Sequence, residues 1–365
     1  MAKECKDFIF CNKKLNDIKE NSQPKYIFVN FEEDSDIVLA LERSMESGES
    51  NRYRTEPNYF YDKWDDTLPL EFNIVKNPAL YHTQIEMEIS KKEIREITRW
   101  LTSPHFPEWL KIESDEDEES LRYNGFFNNI ETWTVGHSVY GLRLYFKCTT
   151  PFAYTDDIVN EITVSTYKNM LVSNDSDELM SYCYPSLEIN PIDNGQIYIC
   201  NLSDCNLREN GTLELTQASY FDSMLDIVDE HARVNGCTVE YVAGKDENFN
   251  IVPLCDNTAV QFYLVDIYNN KRKCTVFYMK DTKEYRIIEG GFMYMTVYKG
   301  LKVYMDCQRL TINDELGRMV RYDKLGINDV DHMYWLRLIN GHNSLLLYGN
   351  CNFTIKHMES RKVGE

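Results

Sequence analysis

A short helical pattern followed by two closely spaced prolines interrupts a chain that otherwise has the pattern of β-strands. The segment is SKKEIREITRWLTSPHFPEWLKIE, residues 90–113. Ser90 and Glu93 have the S-x-x-E spacing of a capping box, which predicts a helix starting at Ser90 and ending near residue 102. Pro104 and Pro107 cannot continue that helix, because proline lacks an amide proton and keeps the preceding residue extended. The segment therefore predicts one helix, a rigid kink and a strand over EWLKIE.

Apolar residues with the period of an amphipathic helix follow Ser90. Ile94, Ile97 and Leu101 fall on one face, with Trp100 beside them. The preceding segment, YHTQIEMEI at 81–89, alternates apolar and polar residues and predicts a half-buried strand. The helix is then expected to lie across a sheet.

Alternating patterns predict strands through most of the remaining chain. VYGLRLYFKC places Leu142, Leu144, Phe146 and Cys148 on one face. Near the end, WLRL, NSLLLY and CNFTIKH are separated by NGH and GN, which predicts two tight hairpins. In the last strand Cys351, Phe353 and Ile355 are expected to share a face.

One helical segment divides the β-strands of the second half. SYFDSMLDIVDEHARVNG, residues 219–236, places Phe221, Leu225, Val228 and Ala232 on one stripe, and Gly236 suits the helix C-terminus. With the strands that follow, it predicts a small α+β module inserted at about 218–298. Because TTPFAY ends the first β block, the predicted domains are 1–150 and 151–365, the second interrupted by the insertion.

The net charge restricts the classes of partner. The chain of 365 residues has 39 basic and 59 acidic residues, a formal charge of −20. Binding to a phosphate backbone requires clustered Lys and Arg, so the composition argues against nucleic-acid binding. The sequence has no apolar run of 18 residues and no apolar signal core at its N-terminus, so neither a membrane span nor export is expected.

The cysteines do not have the spacing of a metal or disulfide framework. There are 11 of them, and no two form a C-x-x-C pair. Without an export signal we expect reduced thiols that act as small core side chains.

Catalytic motifs are missing from the sequence, and the metal-ligand clusters are weak. No nucleophile elbow, zinc-protease helix or phosphate-binding loop occurs, so no enzyme activity and no cofactor are predicted. NDVDH at 328–332 is read either as a polar turn or as part of a metal site that needs a distant ligand. ESDEDEE at 113–119 is read as a solvated loop or, without the glycine of a calcium-binding loop, as a calcium site. The seven histidines are scattered.

Two aromatic residues near the C-terminus are candidates for ligand stacking. Tyr334 and Trp335 precede the last strands, where exposed rings could stack on sugars; packing in the core is the alternative. Paired carboxylates for glycoside hydrolysis carry little information in a chain this acidic.

The order of these motifs resembles that of the distal tail proteins of phages that infect Gram-positive bacteria, the tail-tip hub family. The likeness covers about 1–216 and 300–365. It is carried by KDFIFCNKKLND, LERSMESGESNRYRTEPNYFYDKWDDTLPLEF, EITRWLTSPHFPEWLKI, GLRLYFKCTTPFAYTD and DHMYWLRLINGHNSLLLYGNCNFTIKHMESRKV. The module at 218–298 is not part of the family pattern.

The resemblance implies a fold and a place in the virion. The N-terminal domain would be a ring-forming, β-sandwich-like unit with one helix and an extended arm, and the C-terminal domain a galectin-like β-sandwich carrying the insertion. Six copies would form a ring that joins the tail tube protein to the tail-associated hub or lysin protein at the virion tail tip. DNA would pass through a neutral or acidic channel, and receptor-binding or side-fibre proteins would dock outside.

The resemblance also suggests which residues make the ring contact. The candidates lie on the predicted arm: Arg52, Tyr53, Arg54, Tyr59 and Trp64, since arginine among aromatic residues is typical of interfaces. A solvated loop is the alternative. A different function, a cell-surface carbohydrate-binding module of the tail adsorption device, stays open as well, because a galectin-like fold does not by itself imply sugar binding.

Overall fold

Antiparallel sheets dominate the computed structural model, and the prediction of a mainly β protein is confirmed. The structure describes residues 6–29, 43–47, 59–64, 67–113, 120–179, 181–213, 220–241, 251, 254, 258–327 and 333–362. The chain divides into two compact units, residues 1–156 with 359–365, and residues 157–358. The described part of each unit contains one α-helix.

The first unit is built from twelve strands and a helix, with a thirteenth strand from the chain end. The helix is α1 (Lys91–Thr102), and Leu15–Asp17 form a short 3-10 turn. The strands are β1 (Asp7–Phe10), β2 (Lys13–Lys14), β3 (Lys19–Glu20), β4 (Gln23–Pro24), β5 (Tyr26–Phe28), β6 (Arg43–Ser47), β7 (Tyr59–Trp64), β8 (Pro69–Lys76), β9 (Glu108–Glu113), β10 (Leu121–Val135), β11 (Ser138–Cys148) and β12 (Ala153–Thr155).

One large sheet forms the frame of this unit, in the order β2-β1-β9-β10-β11-β8-β5. Its core is rich in phenylalanine. The ring centroids of Phe10 and Phe127 are 5.1 Å apart, as are those of Phe127 and Phe146, both in edge-to-face contact. Edge-to-face pairs add specific geometry to the burial of apolar area. Leu142, Leu144, Phe146 and Cys148 are buried together, as the alternation in β11 predicts.

Helix α1 begins with the predicted capping box. Ser90 Oγ accepts from the amide of Glu93, and the Ser90 amide donates to Glu93 Oε2 at 2.7 Å. Ile97 and Leu101 are buried against the sheet. The Trp100 indole donates to the backbone carbonyl of Phe10 at 3.2 Å, which ties the helix to β1.

The Glu93 carboxylate also forms ion pairs with two lysines, Lys25 just before β5 and Lys76 at the end of β8. Its oxygens lie 2.7 Å from Lys25 Nζ and 3.4 Å from Lys76 Nζ, and its side chain is 14% exposed. Burial alone would raise the pKa of Glu93, but the hydrogen bonds from Lys25 and Ser90 and the charge of Lys76 lower it to about 2. One carboxylate therefore caps the helix and fixes its start on the sheet.

The strand predicted at 81–89 is wrong, because this segment forms turns instead. The carboxylate of Glu86 accepts from the amides of His82 and Thr83, and Thr83 Oγ1 accepts from the amide of Glu86. These local bonds have the pattern of a second capping box, here with the spacing T-x-x-E from Thr83 to Glu86. They satisfy backbone amides that would otherwise pair in a sheet. Ile85, expected on the buried face, is 85% exposed.

The second unit contains three sheets. Its helix is α2 (Tyr220–Val234), and Tyr322–Leu325 form a 3-10 turn. The strands are β13 (Ile158–Val164), β14 (Tyr167–Asn174), β15 (Ser186–Pro191), β16 (Gly195–Asn201), β17 (Asn206–Thr212), β18 (Thr238–Tyr241), β19 (Ala259–Val265), β20 (Lys271–Met279), β21 (Glu284–Glu289), β22 (Phe292–Val297), β23 (Val303–Asp306), β24 (Thr311–Asp314), β25 (Gly341–Tyr348) and β26 (Cys351–His357). The last strand, β27 (Ser360–Arg361), pairs with β12 in the first unit.

Two of these sheets face each other as a sandwich. The outer sheet has the order β13-β26-β15-β23-β24 and the central sheet the order β14-β25-β16-β22. Inward residues of both sheets share one core, among them Ile189 and Phe353 from the outer sheet and Ile199, Met295 and Leu347 from the central sheet. Such alternation is expected where two sheets pack face to face.

The central sheet is buried on its other face as well. Tyr198, Cys200 and Leu346 alternate with the core residues of their strands and pack in a second cluster with Phe277 and Ile288. The latter two belong to the third sheet, which we call the insert sheet and which has the order β17-β21-β20-β19-β18. The insert sheet therefore covers apolar surface that the sandwich would otherwise expose.

Helix α2 covers the far face of the insert sheet. Val228 and Ala232 are buried, as the stripe predicts, and pack with Val260, Phe262 and other residues of that sheet. Gly236 has φ +64°, the left-handed conformation that favours glycine after a helix. The second unit thus contains four layers: outer sheet, central sheet, insert sheet and helix.

The structure draws the limits of the insertion and of the second unit differently from the sequence. The insert sheet starts at Asn206 and ends at Glu289, whereas the segment from Phe292 to Val297 pairs with β16 in the central sheet. The predicted range of 218–298 omits the first strand and includes one strand of the sandwich. The chain after residue 358 returns to the first unit.

The hairpin predicted between NSLLLY and CNFTIKH is wrong. These strands are β25 and β26, and they lie in different sheets of the sandwich: β25 pairs with β14 and β16, and β26 pairs with β13 and β15. Apolar residues of both strands face the same core, so the chain crosses from one sheet to the other at Gly349, whose φ is +119°. WLRL, predicted as a strand, forms only an isolated bridge between Leu338 and Cys183.

Replacing Glu93 with glutamine should make the protein less stable at neutral pH by about 1–2 kcal/mol, because a charged acceptor of two lysines is lost. The folded-state pKa of Glu93 lies below its unfolded value, so its contribution is present above about pH 4.5 and lost as the pH falls towards 2. Denaturant unfolding from pH 7 to pH 3 should show a smaller loss for Glu93→Gln than for the wild type. Glu96→Gln, exposed on the same helix, is the control and should follow the wild type.

Replacing Phe277 with alanine should destabilise the whole second unit by roughly 3–5 kcal/mol, since a fully buried aromatic ring between two sheets is removed. Because the insert sheet covers the central sheet, both should unfold in one transition. Denaturation followed by tryptophan fluorescence and circular dichroism checks this. Separate transitions for the insert and the sandwich would contradict the four-layer arrangement.

Candidate assembly surfaces

The outer edge of β10 extends well beyond its neighbour. The strand has 15 residues. On one side it pairs with β11 from Gly125 to Val135, and on the other side β9 pairs only with the stretch from Arg122 to Gly125. Among the described strands, none pairs with this outer edge between Phe126 and Val135. Backbone donors and acceptors along such an edge form a template for another strand.

The composition of this edge does little to discourage pairing. The sequence FFNNIETWTV contains one charged residue, Glu131, and no proline. Phe126, Trp133 and Val135 are 43%, 41% and 52% exposed. Proteins usually protect edge strands with lysine, proline or inward-pointing charge, so an exposed edge with aromatic residues is typical of a contact surface. We call residues 126–135 the β10 edge.

An apolar cavity of about 310 Å³ lies at the far end of the β10 edge. It is lined, among the described residues, by uncharged side chains: Val75, Gln84, Met87, Trp133, Val135 and Tyr140. Ile85, between two lining residues, is strongly exposed. Apolar cavities of this size are large enough for an aromatic side chain. We call this cavity the Trp133 pocket.

An exposed aromatic side chain lies near the other end of the β10 edge. Phe106 is 78% exposed and stands between Pro104 and Pro107. The pairing of Glu108 with Gly125 places it beside the start of the edge. Both prolines restrict the backbone, so the ring is presented with little freedom to lose.

Helix α1 presents basic residues to the outside of the acidic chain. Lys91, Lys92, Arg95 and Arg99 are exposed. A concave surface of about 510 Å³ runs beside the helix and is lined, within the described part of the chain, by Lys91, Ile94, Arg95, Thr98, Arg99 and Thr102. This face suits an acidic partner.

The predicted arm is described only in part. Arg52, Tyr53 and Arg54 lie outside the described residues. Tyr59 and Trp64 are the first and last residues of β7, which pairs with β6 in a two-stranded antiparallel sheet; Trp64 is opposite Arg43 and Tyr59 opposite Ser47. The role of these five residues in a ring contact stays a prediction.

The two aromatic candidates of the second unit are part of its packing. The Tyr334 hydroxyl donates to Asp204 Oδ2 at 2.8 Å, and Arg337 Nε donates to the same oxygen at 2.7 Å. The Asp204 side chain is only 7% exposed. Burial and the neighbouring Asp204 carboxylate raise the pKa of Tyr334 above its usual range. Trp335 is half-buried and packs against the sandwich core.

Other aromatic residues beside this network are more exposed. The Arg337 guanidinium lies over the ring of Tyr182 at 4.0 Å, and Tyr182 contacts Tyr184 edge to face. Both tyrosines are 41% exposed, and Leu179 is 67% exposed. The sequence pattern did not identify these three residues, because Arg337 approaches Tyr182 only through the bridge between Cys183 and Leu338.

The described side chains do not form a metal centre or an activated nucleophile. No group of three His, Cys, Asp or Glu side chains among them could hold a metal ion. NDVDH and residues 114–119 lie outside the described residues. Burial raises the pKa of Cys148, Cys274 and Cys351 to about 12, so these thiols stay protonated and poorly nucleophilic. Neither helix that the structure describes is long and apolar enough to cross a membrane.

The sequence of the first unit matches a known protein family. Residues 3–150 match the family model described as "Phage tail protein N-terminal domain". The match confirms the resemblance to phage tail proteins on the strands and helix that carry the β10 edge. A search of curated protein sequences found no match to this chain.

Two solved structures overlap with nearly the whole chain at low sequence identity. The crystal structure of the SPP1 Dit protein, described as a paradigm of the hub adsorption apparatus in phages infecting Gram-positive hosts, is 9% identical, with a TM-score of 0.48 over 97% of this chain and 98% of that one. A structure of the phage P2 baseplate in its activated conformation with calcium is 9% identical, with a TM-score of 0.38 over 96% and 97%. Because both TM-scores are below 0.5, the fold is assigned from the strand pairing of this chain and not from these two structures.

Tyr334→Phe should lower the free energy of unfolding by roughly 1–2 kcal/mol, because the buried Asp204 carboxylate loses a donor. A tyrosine that serves only an external ligand would leave stability unchanged. Tyr182→Phe is the matched control, since the Tyr182 side chain is 41% exposed, and it should unfold like the wild type. Chemical denaturation of both variants distinguishes a structural role of Tyr334 from a ligand-binding role. If Tyr334→Phe is as stable as the wild type, the ligand-binding role is favoured.

Proposed function

We propose that this protein is a structural, non-enzymatic component of a phage distal tail, in which six copies form a ring between the tail tube and the tail-tip apparatus. The N-terminal unit would form the ring. The β10 edge is the observation that supports this most directly, because a ten-residue strand edge with exposed aromatic side chains invites a second chain.

The proposed ring contact is of the head-to-tail kind. A closed ring of identical subunits requires two different surfaces on each copy, one received by the other. The β10 edge would be one of these surfaces, and the predicted arm with Arg52, Tyr53, Arg54, Tyr59 and Trp64 would contribute to the contact from the neighbouring subunit.

A local basic face on α1 favours association of this otherwise acidic chain with itself. Each copy carries a formal charge of −20, so six copies repel one another at long range. The exposed basic face of α1 offers a local region of opposite sign to an acidic neighbour. An overall acidic ring would not retain the DNA that passes through it, because phosphate binding needs a basic surface.

The remaining partners follow from this position in the virion. The ring would contact the tail tube protein on one side and the tail-associated hub or lysin protein on the other. Receptor-binding or side-fibre proteins would dock on the galectin-like sandwich of the second unit, for which Leu179, Tyr182 and Tyr184 are exposed candidates. Tyrosine and arginine are enriched in protein contacts, which favours a protein partner over a sugar at this site.

Two lysines on the β10 edge should prevent ring formation. Asn128 and Thr132 are exposed on this edge, and lysine at both positions would place charge where a neighbouring strand must pair. Asn128→Lys/Thr132→Lys should remain a folded monomer at concentrations where the wild type forms rings of about 259 kDa, six chains of 43.1 kDa. Mass photometry and negative-stain microscopy provide the readout.

The control adds the same charge elsewhere on the chain. Ser165→Lys/Thr166→Lys changes two exposed residues in the turn between β13 and β14 of the second unit and should keep the rings. Rings from the β10-edge variant at wild-type yield would exclude this edge as the contact. A wild type that stays monomeric both alone and with its tail-tube partner would contradict the proposed ring itself.

A further inference from the structure

We propose that the basic face of α1 binds the acidic segment 115–119 of a second copy of this chain. The cations of the face are Lys91, Arg95 and Arg99, and the carboxylates of the segment are Asp115, Asp117 and Glu119. The inference deepens the self-association proposed above, because it names a contact between two copies. The contact itself can be measured without a ring.

Three cations repeat at every fourth residue of α1. Lys91, Arg95 and Arg99 are exposed, and within the described part of the chain their side chains form no ion pair. Glu93, the acidic residue in the first turn, is already paired with two lysines outside the helix. Like charges at a spacing of four residues destabilise a helix. The stability of α1 therefore does not account for these three cations, whereas an acidic ligand would.

The surface beside the cations is long enough for a short extended chain. The concave surface of about 510 Å³ is lined, among the described residues, by residues of α1 alone, with Ile94 and Thr98 between the cations. From Lys91 to Thr102 the helix extends for about 17 Å at 1.5 Å per residue. At about 3.3 Å per residue, an extended segment of about five residues has the same length.

The spacing of the acidic residues matches the spacing of the cations. Arg95 and Arg99 are separated by about 6 Å along the helix axis. Alternate residues of an extended chain are about 6.6 Å apart and lie on the same side. In the sequence ESDEDEE, residues 113–119, positions 115, 117 and 119 are all acidic. Residues 114–119 lie outside the described residues, so this register is taken from the sequence.

The chemistry of the cations favours carboxylates on a protein segment. Arginine binds a carboxylate through two parallel hydrogen bonds, which adds geometric specificity to the charge attraction. Nucleic-acid phosphates could bind the same groups, but a chain with a formal charge of −20 lacks the extended basic surface that such binding requires. Charge complementarity therefore selects an acidic segment, and this chain contains one of matching spacing.

The test measures binding of a fluorescent peptide, ESDEDEES, which has the sequence of residues 113–120. The binding partner is the full-length protein with Asp115→Asn/Asp117→Asn/Glu119→Gln, which lacks the competing acidic residues. Fluorescence anisotropy should show saturable binding that weakens with added salt. In the same background, Arg95→Gln/Arg99→Gln should weaken binding about tenfold or more. Lys19→Gln/Lys168→Gln, which removes two exposed lysines elsewhere, is the control and should bind the peptide unchanged.

Two further peptides of equal charge test the register on a single protein. One keeps the alternate acidic residues and carries Glu113→Gln/Glu116→Gln/Glu118→Gln. The other loses them and carries Asp115→Asn/Asp117→Asn/Glu119→Gln. Each retains three carboxylates. The first should bind at least threefold more tightly, because only its carboxylates are all in register with the cations.

The outcomes separate this contact from the ring. Equal binding of the two peptides, or binding that Arg95→Gln/Arg99→Gln leaves unchanged, would overturn the contact even if the wild type forms rings. Tighter binding of a single-stranded oligonucleotide than of ESDEDEES would overturn the choice of a protein segment. Peptide binding that follows the expected order in a protein without rings would support the contact and contradict the ring.

Discussion

The backbone of β10 is the constraint on which the rest of the account depends. Its first residues are held between β9 and β11, whereas its last ten residues have a paired edge only towards β11 within the described part of the chain. Peptide groups on a strand edge are satisfied by water or by another strand, and the aromatic residues here make a strand the better partner. The capping of α1 by Ser90 and Glu93, and the kink at Pro104 and Pro107, set where β9 starts and therefore where the β10 edge begins.

The second unit meets a related constraint within its own chain. Its central sheet has apolar residues on both faces, and a two-sheet sandwich can bury only one of them. Tyr198 and Leu346 are covered by the insert sheet, which is in turn covered by α2. The insertion is thus a layer of the unit and stabilises it by burying apolar area. The outer edge of β10 from Phe126 to Val135, by contrast, pairs with none of the described strands, which supports the proposed assembly through the first unit.

Local signals in the sequence predicted much of this fold, and signals that depend on distant residues did not. The capping box at Ser90 and the alternation in β11 were sufficient, because each is read within a few residues. The strand predicted at 81–89 is wrong because the T-x-x-E capping box at Thr83 forms turns despite the alternation of apolar and polar residues. The strands around Gly349 looked like a hairpin, since a crossing between sheets has the same local pattern. The length of β10 beyond β9, and thus the candidate surface, appears only once both strands are paired.

The measurement that tests the central claim most directly is a cryo-electron microscopy structure of the wild-type protein assembled in solution. We predict closed rings of six copies around a channel, with the outer edge of β10 between Phe126 and Val135 covered by the neighbouring subunit. A ring in which this edge faces solvent would contradict the account. A protein that stays monomeric both alone and in the presence of its tail-tube partner would contradict it as well.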